Sequence, residues 1–209
     1  MVGASNIALH IEDSYYRGTI YGGYYSGGLV GAASNDNNSI THSYAAGAIS
    51  TDPGAMQIGG IAGQYTGDIY ETFAAMAINS AHPTAGGLLG VYNGGDNHAN
   101  NFVDQTAAGK PCGAVLAVDA SLECTEVNVD GTDPNHFIGN HDNAPLNNWN
   151  FGSTWIIHPN NYPQLRWAAH LDEPTNISSC EDLQGIQNNL YTNYILTQDI
   201  DCSETADWN

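Results

Sequence analysis

The sequence predicts an all-β fold, a right-handed parallel β-helix (β-solenoid) with coils of about 29 residues. Three observations carry this. First, one pattern is written three times and begun a fourth. It reads Ile11-Glu-Asp-Ser-Tyr-Tyr-Arg-Gly-Thr-Ile20, then Ile40-Thr-His-Ser-Tyr-Ala-Ala-Gly-Ala-Ile49, then Ile69-Tyr-Glu-Thr-Phe-Ala-Ala-Met-Ala-Ile78. Second, the aromatics Tyr15, Tyr44, Phe73 and Phe102 recur at a constant spacing of 29, each behind a polar residue: Ser14, Ser43, Thr72 and Asn101. Third, each full copy is followed by a glycine doublet, a large apolar residue and a further glycine, at Gly27–Gly31, Gly59–Gly63 and Gly86–Gly90. A fixed period of this size marks a stacked array, in which no unit can bury its apolar face alone.

The units themselves exclude a helical array. They are short apolar runs broken by Gly, Asn, Asp and Ser, without helical periodicity. Glycine doublets inside helices would cost about 1 kcal/mol per residue against alanine. Two or three strands of about 4–6 residues plus turns fill one period. Each coil then lies about 4.8 Å above the last, and equivalent residues stack. Ile20, Ile49 and Ile78 are expected to form one apolar ladder, Leu29, Ile61 and Leu88 a second, and the Tyr/Phe column an aromatic stack. The glycines suit a tight corner or close approach of one coil to the next. A phosphate-cradling role does not fit, because no Lys-Ser/Thr and no helix follows them. Turn-forming clusters at Asn35–Asn38, Asp52-Pro-Gly54, His82-Pro83 and Asn93–Asp96 are expected to connect the strands.

These motifs resemble the GLUG-type repeat. The likeness lies in Gly27-Gly28-Leu29-Val30-Gly31, a spacer, then Ile40, Ser43, Tyr44, Ala45, Gly47 and Ile49. It covers roughly residues 1–105. It extends through Trp149–Trp155 and Tyr162–Trp167, which are similar to the segment that often closes such arrays. GLUG-type repeats occur in large bacterial and archaeal surface proteins and adhesins, and in the non-catalytic N-terminal regions of some IgA-specific metallopeptidases. The resemblance implies a β-solenoid stalk or adhesive surface and no catalytic residues.

Composition narrows the function classes. The chain has 209 residues and a net charge of −19, with three cations, Arg17, Lys110 and Arg166. Such a surface repels nucleic acid and anionic membranes. Charge also keeps an extended β-protein from pairing edge to edge, and solubility is the favoured account of the acidity. No apolar run reaches transmembrane length. Met1–Asn6 does not read as a signal peptide. Val2-Gly3-Ala4-Ser5 matches Val30-Gly31-Ala32-Ala33, so the chain is expected to begin inside a repeat.

Residues 1–105 form the array. Residues 106–167 are an irregular excursion followed by the aromatic-rich closing segment. Residues 168–177 are a linker. Residues 178–209 read as a helix, capped by Ser178 or Ser179, and then a strand over Tyr194–Ile200. That last unit resembles the opening of a further array, truncated or completed by another chain.

The cysteines are Cys112, Cys124, Cys180 and Cys202. Three pairings are open, and the local one is favoured because each pair lies within one module. Zinc-finger spacing is absent. Two disulfides point to an oxidising, extracellular location and would contribute about 2–4 kcal/mol each. Asn37 and Asn176 fit the glycosylation sequon. Asp130 and Asp133 with nearby carbonyls are candidate ligands for a structural calcium, although no EF-hand or nonapeptide repeat is present. His136 and His141, near Asp133 and Asp142, are a second metal candidate without a helix to hold them. No other cofactor is indicated.

Trp149, Trp155 and Trp167 form either a core plug, the favoured reading, or a sugar-stacking platform. For a glycan-cleaving solenoid, the equivalent positions Glu12, Thr41 and Tyr70, or Asp13, His42 and Glu71, make a mixed column rather than a repeated acid pair. The function expected is a non-enzymatic extracellular stalk or filament subunit that self-associates end to end or meets surface glycans and host or cell-surface ligands. The alternatives are a carbohydrate-binding module and a polysaccharide-degrading enzyme.

Overall fold

The computed structural model describes residues 2–115, 121–127, 138, 146–158, 161–169, 175–188 and 194–203. The predicted parallel β-solenoid is present. Its first coil contains strands β1 (Val2–Ser5), β2 (His10–Glu12), β3 (Tyr15–Gly22) and β4 (Ser26–Gly27). The second contains β5 (Val30–Thr41), β6 (Tyr44–Thr51) and β7 (Ile58–Gly59). The third contains β8 (Ala62–Tyr70), β9 (Phe73–Asn79) and β10 (Ala85–Gly86). A further partial coil contains β11 (Leu89–Tyr92), β12 (His98–Ala99) and β13 (Asn101–Asp104).

Each of the first three coils feeds three parallel sheets. One runs β1-β5-β8-β11, with β2 on β5 and β12 on β8; a second runs β4-β7-β10; a third runs β3-β6-β9-β13. The two-residue strands of the second sheet are the glycine doublets' contribution. A Cβ built on Gly60 would lie 2.2 Å from the Gly87 carbonyl oxygen and 2.5 Å from the Ala74 Cβ. Only hydrogen fits where the coils approach that closely.

The ladders fall in register. Ile20 pairs with Ile49 and Ile49 with Ile78. The Leu29 amide donates to Ile61, and the Ile61 amide to Leu88. Tyr15, Tyr44, Phe73 and Phe102 are successive register partners. Tyr15 and Tyr44 stack at 5.2 Å, Tyr44 and Phe73 at 4.8 Å, with ring planes 3° apart in the latter pair.

Strand alternation splits the third sheet between two cores. Ala45, Ile49, Ala74, Met76 and Ile78 point inward to the solenoid interior, joining Val30, Ile40, Ile61, Tyr65 and Leu88. Tyr44, Phe73 and Phe102 point outward. There Trp149, Trp155, Leu165 and Ala168 cover them.

Several local expectations are corrected. The expected turn at Asn35–Asn38 lies inside β5 as an irregularity: Ser34 pairs with Thr66 but Ser39 with Asp68. Asn38 is buried there, its Oδ1 accepting from the Leu9 amide and its Nδ2 donating to the Thr66 carbonyl. The excursion is not irregular throughout. After α1 (Gln105–Ala108), β14 (Ala114–Val115) extends the first sheet beside β11, and β15 (Cys124–Val127) extends the third beside β13. The closing segment holds the antiparallel pair β16 (Trp155–Ile156) and β17 (Gln164–Leu165). The end of the expected linker is a strand, β18 (Thr175–Ile177), which pairs in parallel with β19 (Tyr194–Leu196). Between them lies α2 (Cys180–Gly185), capped by Ser179, whose hydroxyl accepts from the Asp182 amide. Leu183 on that helix is exposed rather than packed.

Candidate functional site

The coils turn between the first and third sheets at one corner, and this corner gathers the chemistry. Asp13, His42, Glu71 and Asn100 occupy it, 29 residues apart, with φ of 48°, 45°, 46° and 57°. Asn and Asp tolerate this left-handed conformation, whereas His and Glu do so at a cost of about 1–2 kcal/mol. The column is held by main-chain bonds from coil to coil. Asp13 donates to the Thr41 carbonyl, His42 to Tyr70 and Glu71 to Ala99.

The polar residue before each aromatic has its reason here. The Ser14, Ser43 and Thr72 hydroxyls donate to the carbonyls of Glu12, Thr41 and Tyr70. The Ser43 Oγ also accepts from the Ser14 amide, and the Asn101 Oδ1 from the Thr72 amide. A short acceptor at this position satisfies backbone groups that the sharp turn leaves without sheet partners.

Stacking then sets charged side chains against one another. His42 Nδ1 lies 3.4 Å from Asp13 Oδ1 and 3.8 Å from Glu12 Oε1. Its other nitrogen, Nε2, lies 3.6 Å from Glu71 Oε2. Glu71 is 5% exposed, and among the described residues its Oε2 has no hydrogen-bond partner. Glu12 and Asp13 are exposed, and His42 is intermediate. Thus the ring is flanked by two solvent-facing carboxylates on one side and a buried one on the other. Tyr70 meets the His42 ring edge-on and accepts through its hydroxyl from Asn100 Nδ2.

Trp149, Trp155 and Trp167 separate. Trp149 and Trp155 are buried, 4.4 Å apart, against Phe73. They are core and present no platform. Trp149 Nε1 donates to the Asn100 carbonyl at the far end of the corner column. Trp167 is 48% exposed, packs on Tyr15, and its Nε1 donates to the Asp13 carbonyl. The closing segment is therefore pinned to both ends of the corner.

Cys112–Cys124 and Cys180–Cys202 are disulfides, the local pairing. Asn37 and Asn176 are exposed. Asp130, Asp133, His136, His141 and Asp142 lie outside the described residues.

A second polar knot lies on the first sheet. Asp68 accepts from the amides of Asp96 and Asn97 and from Asn97 Nδ2. Partial burial pulls its carboxyl upward, but these donors, with His98 nearby, outweigh that and hold it below the ordinary value. Beneath it, burial and then the Asp68 charge push Tyr92 up to about 12 and Tyr65 higher still.

Sequence reasoning named Glu12, Asp13 and Glu71 but missed His42 as their centre. The signal was the column itself: chemistry that is scattered along the chain at 29-residue steps is contiguous in space. Comparison with protein-family models, curated proteins and solved structures gave no match to this chain.

Proposed function

We propose that this chain is a non-enzymatic structural segment of an extracellular surface protein, its coil stack serving as a rigid stalk or filament body. The observation that carries the reading is the register itself. Apolar and aromatic ladders run through successive coils without a break, and only hydrogens separate the coils at Gly60. Such a stack resists bending because successive coils share parallel hydrogen-bond ladders and a common apolar interior. The resemblance to GLUG-type repeats and the two disulfides support placement outside the cell. Among the described residues, β3 has a sheet neighbour on one side only, which offers an edge for end-to-end pairing.

Electron microscopy of the unreduced protein from its own source tests this. Straight rods, or fibres with a repeat matching one chain, are the expected images. Compact particles, or turnover of a polysaccharide that vanishes on Glu71→Gln, would reject the reading. One observation favours a second role: the half-exposed Trp167 ring beside Tyr15 suits stacking against a sugar. Binding on a glycan array that is lost in Trp167→Ala would establish it, and an array without signal would remove it.

A further inference from the structure

We propose that the corner of the first two coils is a binding site for a zinc-class divalent cation, with His42 Nδ1, Asp13 Oδ1 and Glu12 Oε1 as ligands and Glu71 as the carboxylate that orients the ring. These three donor atoms lie within 4.8 Å of one another. Metal–ligand bonds of about 2.0–2.2 Å in a tetrahedron place neighbouring donors about 3.3–3.6 Å apart. His42 Nδ1 and Asp13 Oδ1 are already 3.4 Å apart. Glu12 Oε1, at 3.8 Å, sits on an exposed side chain that closes the remainder by rotation.

An acidic cluster alone would mean little, because solvated carboxylates need no ion. The buried side of the ring supplies the independent observation. Glu71 keeps a carboxylate oxygen out of water with no hydrogen-bond partner among the described residues, 3.6 Å from His42 Nε2. A buried carboxylate in that state is costly unless something compensates it. A neutral imidazole carries one proton and one lone pair. With the proton on Nε2, the positive end of that N–H bond lies 3.6 Å from the Glu71 oxygen, and the lone pair on Nδ1 then faces Glu12 and Asp13, two further negative groups. A cation between them turns that repulsion into coordination. The order carboxylate, imidazole, metal is how proteins fix the tautomer and raise the basicity of a histidine ligand. One nitrogen with two or three oxygens suits zinc and its neighbours better than calcium, which takes oxygens alone.

The ion would join the first coil, through Glu12 and Asp13, to the second, through His42, and rest on the third through Glu71. The ion would thus clamp successive coils to one another at this corner. The site stands independently of the stalk reading, since an isolated coil stack of any function would hold it.

Calorimetric titration of Zn2+ alone into the full, disulfide-intact chain is the test. His42→Asn keeps a residue that accepts the left-handed corner, and it is expected to weaken binding at least tenfold. Glu71→Gln is expected to weaken it about tenfold, as for other groups that act through a ligand. Ca2+ is expected to compete poorly. Nitrogen-15 NMR of the histidine rings in the unaltered protein gives a readout that no folding defect can blur. Zn2+ should shift His42 Nδ1 and lock the Nε2–H tautomer. No binding up to millimolar Zn2+, shifts confined to other histidines, or affinity within twofold in His42→Asn would each overturn the assignment.

Discussion

Gly60 and Gly23 show how differently one residue type is used. A methyl at Gly60 would collide with backbone of the next coil, whereas a methyl at Gly23 meets nothing within 4 Å. Gly60→Ala is therefore expected to destabilise by about 1–3 kcal/mol, the cost of overpacking a tight site. Gly23→Ala is expected to be neutral or to stabilise by up to about 1 kcal/mol through the unfolded chain. Urea unfolding of the two variants side by side checks both, and equal midpoints would refute the steric account. Phe73 stands at the join between the solenoid and its closing segment. It is fully buried, stacked on Tyr44 and in contact with Trp149, Trp155 and Tyr162. Phe73→Ala should cost about 3–5 kcal/mol and detach the closing segment, seen as a rise in exposed tryptophan fluorescence.

At the scale of the element, the loop between β11 and β12 is tied to β8 through Asp68, and its stability follows pH in two windows. The folded carboxyl of Asp68 titrates below its ordinary value of 3.8. Its contribution is therefore complete above that value and is lost as pH falls through the lower, folded one. Tyr92 is raised from 10.0 to about 12. Its contribution is complete below pH 10.0 and is lost as pH climbs toward about 12, because the unfolded tyrosine releases its proton first. Hydrogen exchange of residues 93–99 across pH should show faster opening at both extremes. Asp68→Asn should remove the acid limb alone, and an unchanged acid limb would assign it to other carboxylates.

Across the whole molecule, the two disulfides do different work. Cys112–Cys124 ties the bend before β14, whose Cys112 carbonyl already accepts from the Leu88 and Leu89 amides, to β15, already paired with β13, whereas Cys180–Cys202 closes a unit whose helix buries no side chain. Among its described residues Ile177 is the one buried apolar side chain, and a unit with so small a described core leans on its covalent link. Replacing both Cys180 and Cys202 by Ser is expected to cost that unit about 2–5 kcal/mol. Exchange protection over 175–203 should collapse while that over 15–104 persists. Loss of protection throughout the chain would mean that the unit is part of the solenoid's own cooperative fold.

The periodic part of the fold was legible in the sequence because a stacked coil forces equivalent side chains into contact, so the spacing of 29 is both a chain property and a spatial one. The ladders at Ile20, Ile49 and Ile78, the polar residue before each aromatic, and the close-packed glycines all follow from that identity. What the chain could not show is everything that depends on which face a residue presents. Strand alternation turns Tyr44, Phe73 and Phe102 away from the solenoid interior, and only the folded closing segment makes that outer face a second core. The same geometry separates three similar tryptophans into two buried rings and one exposed ring. It also draws Glu12, Asp13, His42 and Glu71 into one cluster at a left-handed corner. Local sequence carries propensity and period. Contact between residues 29 and 58 positions apart exists only once the backbone has closed its coils.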